Sequence, residues 1–403
     1  MIKEGLSRLW QSPRSAQEIE DRNVTFLELF YDLIYVVIIA ELAHLLAQDI
    51  SLAAFESFVF LFVLVWWTWL NAAYYHNLHG YDDLRTRVFV FLQMAILVAM
   101  TVFINNALEE SSYRFAFSYA AFLALLAFLW WRTGVHDPKH RLLSIPYIIT
   151  YSIAVILFIV SVFIPTPLRF IIWGIALLQM LLVPGIWISR GQRSEYILSI
   201  DPASATLRER FKLFTIIVLG EAVVAVISGL SRHHDLNTTT GLLGTLGLAL
   251  AFGLWWIYFE PSAKRPIKSG IGYFWMWNII HLPIWIGITA IGVGVLSIIS
   301  IEGEVVPSEV RWLLSGSIAM VFISAGILLQ TLSISDEFER VYNIASFLLI
   351  AMGIVTTAIG FFGETLSPVI LLFSLLILML IPILYGLYLR LYMSDMTGIS
   401  VGR

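Results

Sequence analysis

The chain has 403 residues, of which 59% are hydrophobic and only 13% charged, with a formal net charge of −4 and no cysteine. Soluble domains carry roughly 25% charged residues, so a water-soluble globule is excluded. The missing cysteines exclude disulfides, thiolate metal sites and thiol redox chemistry.

Residues 1–25 are polar, with Glu18, Glu20, Asp21 and four basic side chains. They lack the short apolar core and small-residue cleavage site of a signal peptide, and they read as a cytoplasmic N-terminal segment. Twelve apolar stretches follow, at 26–47, 52–72, 86–106, 113–131, 142–164, 168–188, 211–230, 240–260, 272–300, 311–333, 341–363 and 366–389. A helix crossing the hydrocarbon needs about 20 apolar residues. The pattern therefore predicts an all-α, polytopic transmembrane helical bundle of about 12 spans.

Of the 24 Lys and Arg residues, 20 fall in every second gap, counting the N-terminal segment as the first. Only Arg114, Arg169, Arg232 and Arg311 fall on the other side. Short loops rich in Lys and Arg stay in the cytoplasm. Both termini are thus expected there, which requires an even number of spans.

The second span ends Trp66-Trp67-Thr68-Trp69 and the eighth ends Trp255-Trp256-Ile257-Tyr258, an offset of 189 positions. The same offset carries Asp32 onto Glu221. A 6+6 internal repeat follows, with both halves in the same orientation. The division is 26–188 for the first half, 189–210 for a cytoplasmic linker, 211–390 for the second half and 391–403 for a cytoplasmic tail. Asp201-Pro202 in the linker suits the start of a helix, so the seventh span is expected to begin in the cytosol.

Acids inside spans are the features to weigh. A charge at the bilayer centre costs about 2.5–3.5 kcal/mol on insertion scales, so such a group faces the bundle interior, takes a partner or takes a proton. In the first span Glu28 and Asp32 share a helical face with Tyr35, whereas Glu41 points the opposite way with His44 near it. With acids on two faces, this span is expected to be an inner helix packed on several sides. Glu221 follows Gly220, which lets another backbone come close. In the ninth span Asn278 and His281 share a face, and Pro283 removes a backbone donor. Histidine is the side chain that titrates near neutrality, which makes His281 a candidate relay for Glu221. The competing reading is a core histidine, with Trp275 and Trp277 in an interfacial belt.

Weaker features are read as structural. His76, His79, Asp82 and Asp83 read as a hydrated loop rather than a metal site. Glu260 is expected to pair with Lys264, and Gln93, Gln179 and Gln330 to bridge helices. No metal, cofactor, catalytic residue or nucleic-acid surface is expected. Gly-rich phosphate loops and HExxH are absent.

At this point the chain resembles a known family. Phe26-Leu27-Glu28-Leu29-Phe30-Tyr31-Asp32-Leu33-Ile34-Tyr35-Val36 is similar to the opening signature of the low temperature requirement protein A family of bacterial membrane proteins. Glu209-Arg210-Phe211 and Leu213-Phe214-Thr215-Ile216-Ile217-Val218-Leu219-Gly220-Glu221 form a second matching stretch. The aspartates before Arg87 and the pair Trp66-Trp67 fit as well. The family's opening motif usually reads Phe-Phe-Asp, where this chain has Phe30-Tyr31-Asp32. The resemblance spans nearly the whole chain. It implies a bacterial inner-membrane protein linked by name to growth in the cold, with Asp32 and Glu221 as signature residues, and it supplies no substrate.

The leading expectation is a secondary transporter or ion-conducting protein that uses Asp32, Glu221, Glu41 and His281 as proton or cation sites, with His44, Glu28, Asn278 and Tyr35 around them. Its partners would be membrane lipids and a small solute or ion, and a homo-oligomer is allowed. The alternatives are a membrane-embedded sensing or lipid-binding protein without transport, and an intramembrane lipid-modifying enzyme built on Glu28, Asp82 and Asp83.

Overall fold

A computed structural model describes residues 23–80, 83–191, 204–233, 237–262, 265–301 and 303–397. These residues form twelve long helices and no strand. They are α1 (Phe26–Gln48), α2 (Leu52–His79), α3 (Leu84–Val102), α4 (Ser112–His136), α5 (Arg141–Ser161), α6 (Leu168–Gly191), α7 (Ala205–Ser231), α8 (Thr238–Ser262), α9 (Ile271–Ile299), α10 (Ser308–Gln330), α11 (Asp336–Phe362) and α12 (Pro368–Thr397). All twelve are long and apolar enough to cross a bilayer, and the protein is a multi-pass membrane protein.

Several helices run past their apolar cores, because a helix already nucleated in lipid continues until the sequence supplies a stop. α2 continues to His79, so His76 and His79 are buried helical residues rather than parts of a hydrated loop. Asp82 lies outside the described residues, and Asp83 caps α3 by accepting the Thr86 N–H at 2.9 Å. α7 begins six residues before its apolar run, and Ser204 Oγ accepts the Leu207 N–H at 3.2 Å as its cap. The expected Asp201-Pro202 start lies outside the described residues. α3 stops at Val102, four residues early, and Phe103–Ser111 turn instead.

The chain divides into two compact units, Met1–Leu42 with Phe60–Phe211 and Ala43–Val59 with Lys212–Arg403. In the first, α4, α5 and α6 pack in sequence around an aromatic core. Trp130 stacks on Tyr147 with centroids 4.2 Å apart, and Tyr119 on Phe158 at 4.4 Å. Gln93 bridges to His76, and Gln179 bridges to the Thr150 carbonyl. In the second unit α9 and α10 form the core, with 78% and 72% of their apolar windows buried, and α11 and α12 lie outside them at 28%. Gln330 there bridges to Asn343 at 3.2 Å.

Two of the four exceptions to the charge pattern have a structural cause. Arg169 donates to the Ser161 and Val162 carbonyls and to Ser112. Arg311 donates to the Gly360 carbonyl at 3.1 Å. Each satisfies carbonyls left open at a helix C-terminus.

A short 3-10 turn, Pro138–His140, joins α4 to α5. It buries the His140 ring against His79, with centroids 4.4 Å apart, and over Trp130. Burial holds the imidazole pKa down at about 4 from its usual 6.5. The folded protein therefore favours the neutral ring, and this contribution is complete above pH 6.5. Between pH 6.5 and 4 the unfolded chain takes the proton first, and up to about 3 kcal/mol is withdrawn. Thermal midpoints in detergent should fall across that window, and His140→Gln should flatten the fall. Equal pH profiles for the two proteins would contradict it.

Candidate functional site

The first unit brings one group of polar side chains together inside the membrane-spanning region. Its anchor is the start of α1. Thr25 Oγ1 accepts the Glu28 N–H at 3.3 Å, and Glu28 accepts the Thr25 N–H and hydroxyl at 2.9 and 3.0 Å. This reciprocal capping box fixes the first turn and the direction of the face that follows. Glu28 is thereby held at 7% exposure, not snorkelling to the surface.

One turn later Asp32 projects from the same face, 1% exposed. Arg210 meets it from α7, with Nη2 2.5 Å from Oδ1 and Nε 3.3 Å from Oδ2. Trp69 Nε1 donates to Oδ1 at 2.9 Å. The Trp69 indole also lies beside the guanidinium, 5.9 Å from centroid to Cζ, and Phe211 stands edge-on to it at 5.0 Å. Moving two such ions out of water costs several kcal/mol each unless geometry and added hydrogen bonds compensate. The carboxylate is compensated by three donors. The guanidinium is not fully so, because Arg210 Nη1 is buried with no partner among the described residues.

Beside the pair runs a row of hydroxyls. Thr68 donates to the Val65 carbonyl at 2.7 Å. A hydroxyl has one proton, so Thr68 accepts from Tyr35 at 3.1 Å, and Tyr35 accepts from Tyr31 at 3.1 Å. The Tyr31 ring stands edge-on to His76 at 6.1 Å, and His76 Nε2 donates to Gln93 Oε1 at 2.9 Å.

The remaining sequence candidates stand elsewhere. Glu41 is half-buried and accepts from Asn105 at 2.8 Å, and His44 is exposed. α1 is not packed on several sides as expected. It exposes the stripe Phe26, Phe30, Leu33 and Val37, because its acids are satisfied along one face and by Asn105. Gly220 brings no helix close, since nothing lies within 4 Å of where its Cβ would stand. Glu221 is half-buried and makes no hydrogen bond or ion pair among the described residues. Its position-equivalent Asp32 is held by Trp69, whereas Tyr258, the equivalent of Trp69, bonds to His281 instead at 3.0 Å.

His281 is 1% exposed, and its Nδ1 donates to the Trp277 carbonyl at 2.6 Å. His281 Nε2 shares a hydrogen bond with the Tyr258 hydroxyl at 3.0 Å. Trp277 is buried against it at 4.6 Å rather than lying in an interfacial belt. Asn278 donates to the Phe274 carbonyl at 2.7 Å, and its Oδ1 is buried with no partner among the described residues. Glu260 pairs with Arg390 at 3.4 Å, and Lys264 lies outside the described residues.

Sequence reasoning missed Arg210 as the partner of Asp32, because it was counted with the loop charges. The signal lay in spacing. Leu207, Arg210, Phe211, Phe214 and Val218 recur at helical intervals, and all five are buried. The charge sits inside the apolar stripe of α7, not ahead of it.

An uncharacterized protein of Rhizobium meliloti (strain 1021) is 26% identical over 292 residues, which cover 69% of this chain and 70% of that protein. No solved structure matches the chain. Residues 23–388 match the family described as bacterial low temperature requirement A protein. That span holds all twelve membrane helices apart from the last residues of α12, and the chain belongs to this family.

Proposed function

We propose that the protein is a secondary transporter or ion-conducting protein of the bacterial inner membrane, with both termini in the cytoplasm, and that it is not an enzyme. A small solute or ion is the cargo and a proton is the coupling ion. The observation that carries this reading is the Asp32–Arg210 pair, buried inside the membrane-spanning region with one guanidinium donor still open. A pair built only for stability would leave no buried donor unmet, since an orphaned donor costs about 1–3 kcal/mol.

Charge balance gives the mechanism. With Asp32 ionised the pair is neutral and closed on itself. With Asp32 protonated the site carries the full Arg210 charge, which is expensive in a low-dielectric interior. That charge favours a conformation in which Nη1 and its neighbours reach an anion or water. Proton uptake thus shifts the population of states. Glu221, half-buried and unbonded, is a second proton site on this reading.

The test is flux. The purified protein is reconstituted in liposomes, and internal pH and membrane potential are followed while solutes are screened. Asp32→Asn is expected to abolish proton-coupled flux, and Glu221→Gln to reduce it. Normal flux with both changes would overturn the assignment. Solute binding without flux in the unaltered protein would favour a sensing or ligand-binding protein.

A further inference from the structure

The second unit carries a pocket that none of this uses. It has a volume of about 410 Å³ and lies where α8 and α12 end and α11 begins. Specific small-molecule pockets span about 300–1,000 Å³. One wall is apolar, with Leu349 and Ile383, and Trp255 at its edge is 40% exposed, so the pocket opens on the apolar perimeter.

The other end is polar and positively charged. Glu260 and Arg390 pair across it at 3.4 Å and cancel. Arg265 has no such counterion among the described residues. Its guanidinium carbon lies 3.8 Å from the centroid of the Tyr342 ring. Its loop is held in place by the Ser333 N–H bond to the Pro266 carbonyl at 2.9 Å and the Lys268 N–H bond to the Thr331 carbonyl at 2.8 Å. A guanidinium resting its face on an aromatic ring leaves its N–H edge for a planar or tetrahedral oxyanion. Burial presses the Arg265 pKa below its usual value, a strain that a bound anion relieves. Trp256 Nε1, which also lines the pocket, is buried with no hydrogen-bond partner among the described residues.

We propose that this pocket binds an anionic glycerophospholipid from the surrounding bilayer, with the phosphate on Arg265 and an acyl chain along the apolar wall. A lipid fits where a soluble phosphate does not, because the cation sits at one end of a groove whose other wall is hydrocarbon-lined and open to the membrane. Basic pockets between membrane helices beside Lys- and Arg-rich loops are a recurring lipid headgroup site.

The test uses tryptophan quenching by lipids with brominated acyl chains, with the share of Trp255 and Trp256 among the 14 tryptophans taken as the difference from a Trp255→Phe/Trp256→Phe variant. Detergent-solubilised full-length protein is titrated with brominated phosphatidylglycerol and, separately, with brominated phosphatidylcholine. The anionic lipid is expected to quench at about fivefold lower concentration, the effect of one positive charge near a lipid surface. Arg265→Gln should erase the preference, and Arg265→Lys should keep it. Glu260→Gln removes the carboxylate that lines the pocket and should widen the preference, which gives a gain of signal that misfolding cannot mimic. Equal quenching by the two lipids in the unaltered protein would overturn the proposal, as would a narrower preference in Glu260→Gln. Displacement by soluble glycerol phosphate at matching concentration would assign the pocket to a free phosphate and overturn it. So would occlusion that rises with protein concentration, which would mean a second copy of the chain occupies the pocket.

Discussion

Replacing Arg210 with methionine should destabilise the protein by about 3–5 kcal/mol, the usual penalty for stranding one member of a buried ion pair. Asp32 would keep only the Trp69 donor of the three it has now. Methionine fills much of the same volume, so packing loss alone cannot produce so large an effect. The second half of the prediction is recovery. Asp32→Asn combined with Arg210→Met removes both charges and keeps a hydrogen-bonding group for Trp69, and it should return most of the lost stability. Thermal midpoints in detergent of the two single variants and the double variant give the coupling directly. If the two single losses simply add, the pair is not an energetic unit and the proposed proton switch loses its basis. Flux is the complementary readout. The recovered double variant should fold and still fail to couple protons, which separates stability from function.

The second large effect is steric. α10 and α11 pack at two points seven residues apart. A Cβ on Gly326 would stand 2.8 Å from the Ser346 carbonyl oxygen, and one on Gly353 would stand 3.0 Å from the Ala319 carbonyl oxygen. Ser346 Oγ donates to the Gly326 carbonyl at 2.7 Å across the same contact. Helices in lipid associate through this kind of close backbone approach, because apolar side chains gain little by leaving an apolar solvent. Gly326→Leu should therefore force the pair apart and cost about 3 kcal/mol. Gly220→Ala is the matched control, since nothing lies near its added methyl. It should be neutral or slightly stabilising, because alanine is the better helix former. Expression level and thermal midpoint measure both. A large loss at Gly220 and none at Gly326 would invert the packing account.

Much of this architecture was legible from periodicity and charge. Twelve runs of apolar residues gave twelve helices because hydrocarbon leaves the backbone no other way to satisfy its polar groups. What hydropathy could not show was where helices go beyond the apolar run. His76, His79 and Arg210 all lie on such extensions, and all three are buried. A window that averages hydropathy treats them as loop, whereas helical spacing places them on the inner face. The candidate site was read in part for the same reason. Glu28, Asp32 and Tyr35 follow from one face of one helix, but Asp32 and Tyr35 find partners on α2 and α7, tens to nearly two hundred positions away. Pairing at that distance is decided by packing, and a single sequence carries no record of it. The match between Asp32 and Glu221 is likewise real as a spacing, yet one acid is enclosed by three donors and the other has none among the described residues.

The hydroxyl row of Tyr31, Tyr35 and Thr68 has a direction, and it ends on a backbone carbonyl. A relay that hands protons onward needs a terminus able to accept one and release it, and a peptide oxygen cannot do so at any ordinary pH. At its Thr68 end the row is therefore a cul-de-sac that orients dipoles without conducting. Traffic to and from Asp32 does not leave by that end, and hydroxyl-deleting changes such as phenylalanine for either tyrosine should alter rigidity before they alter turnover.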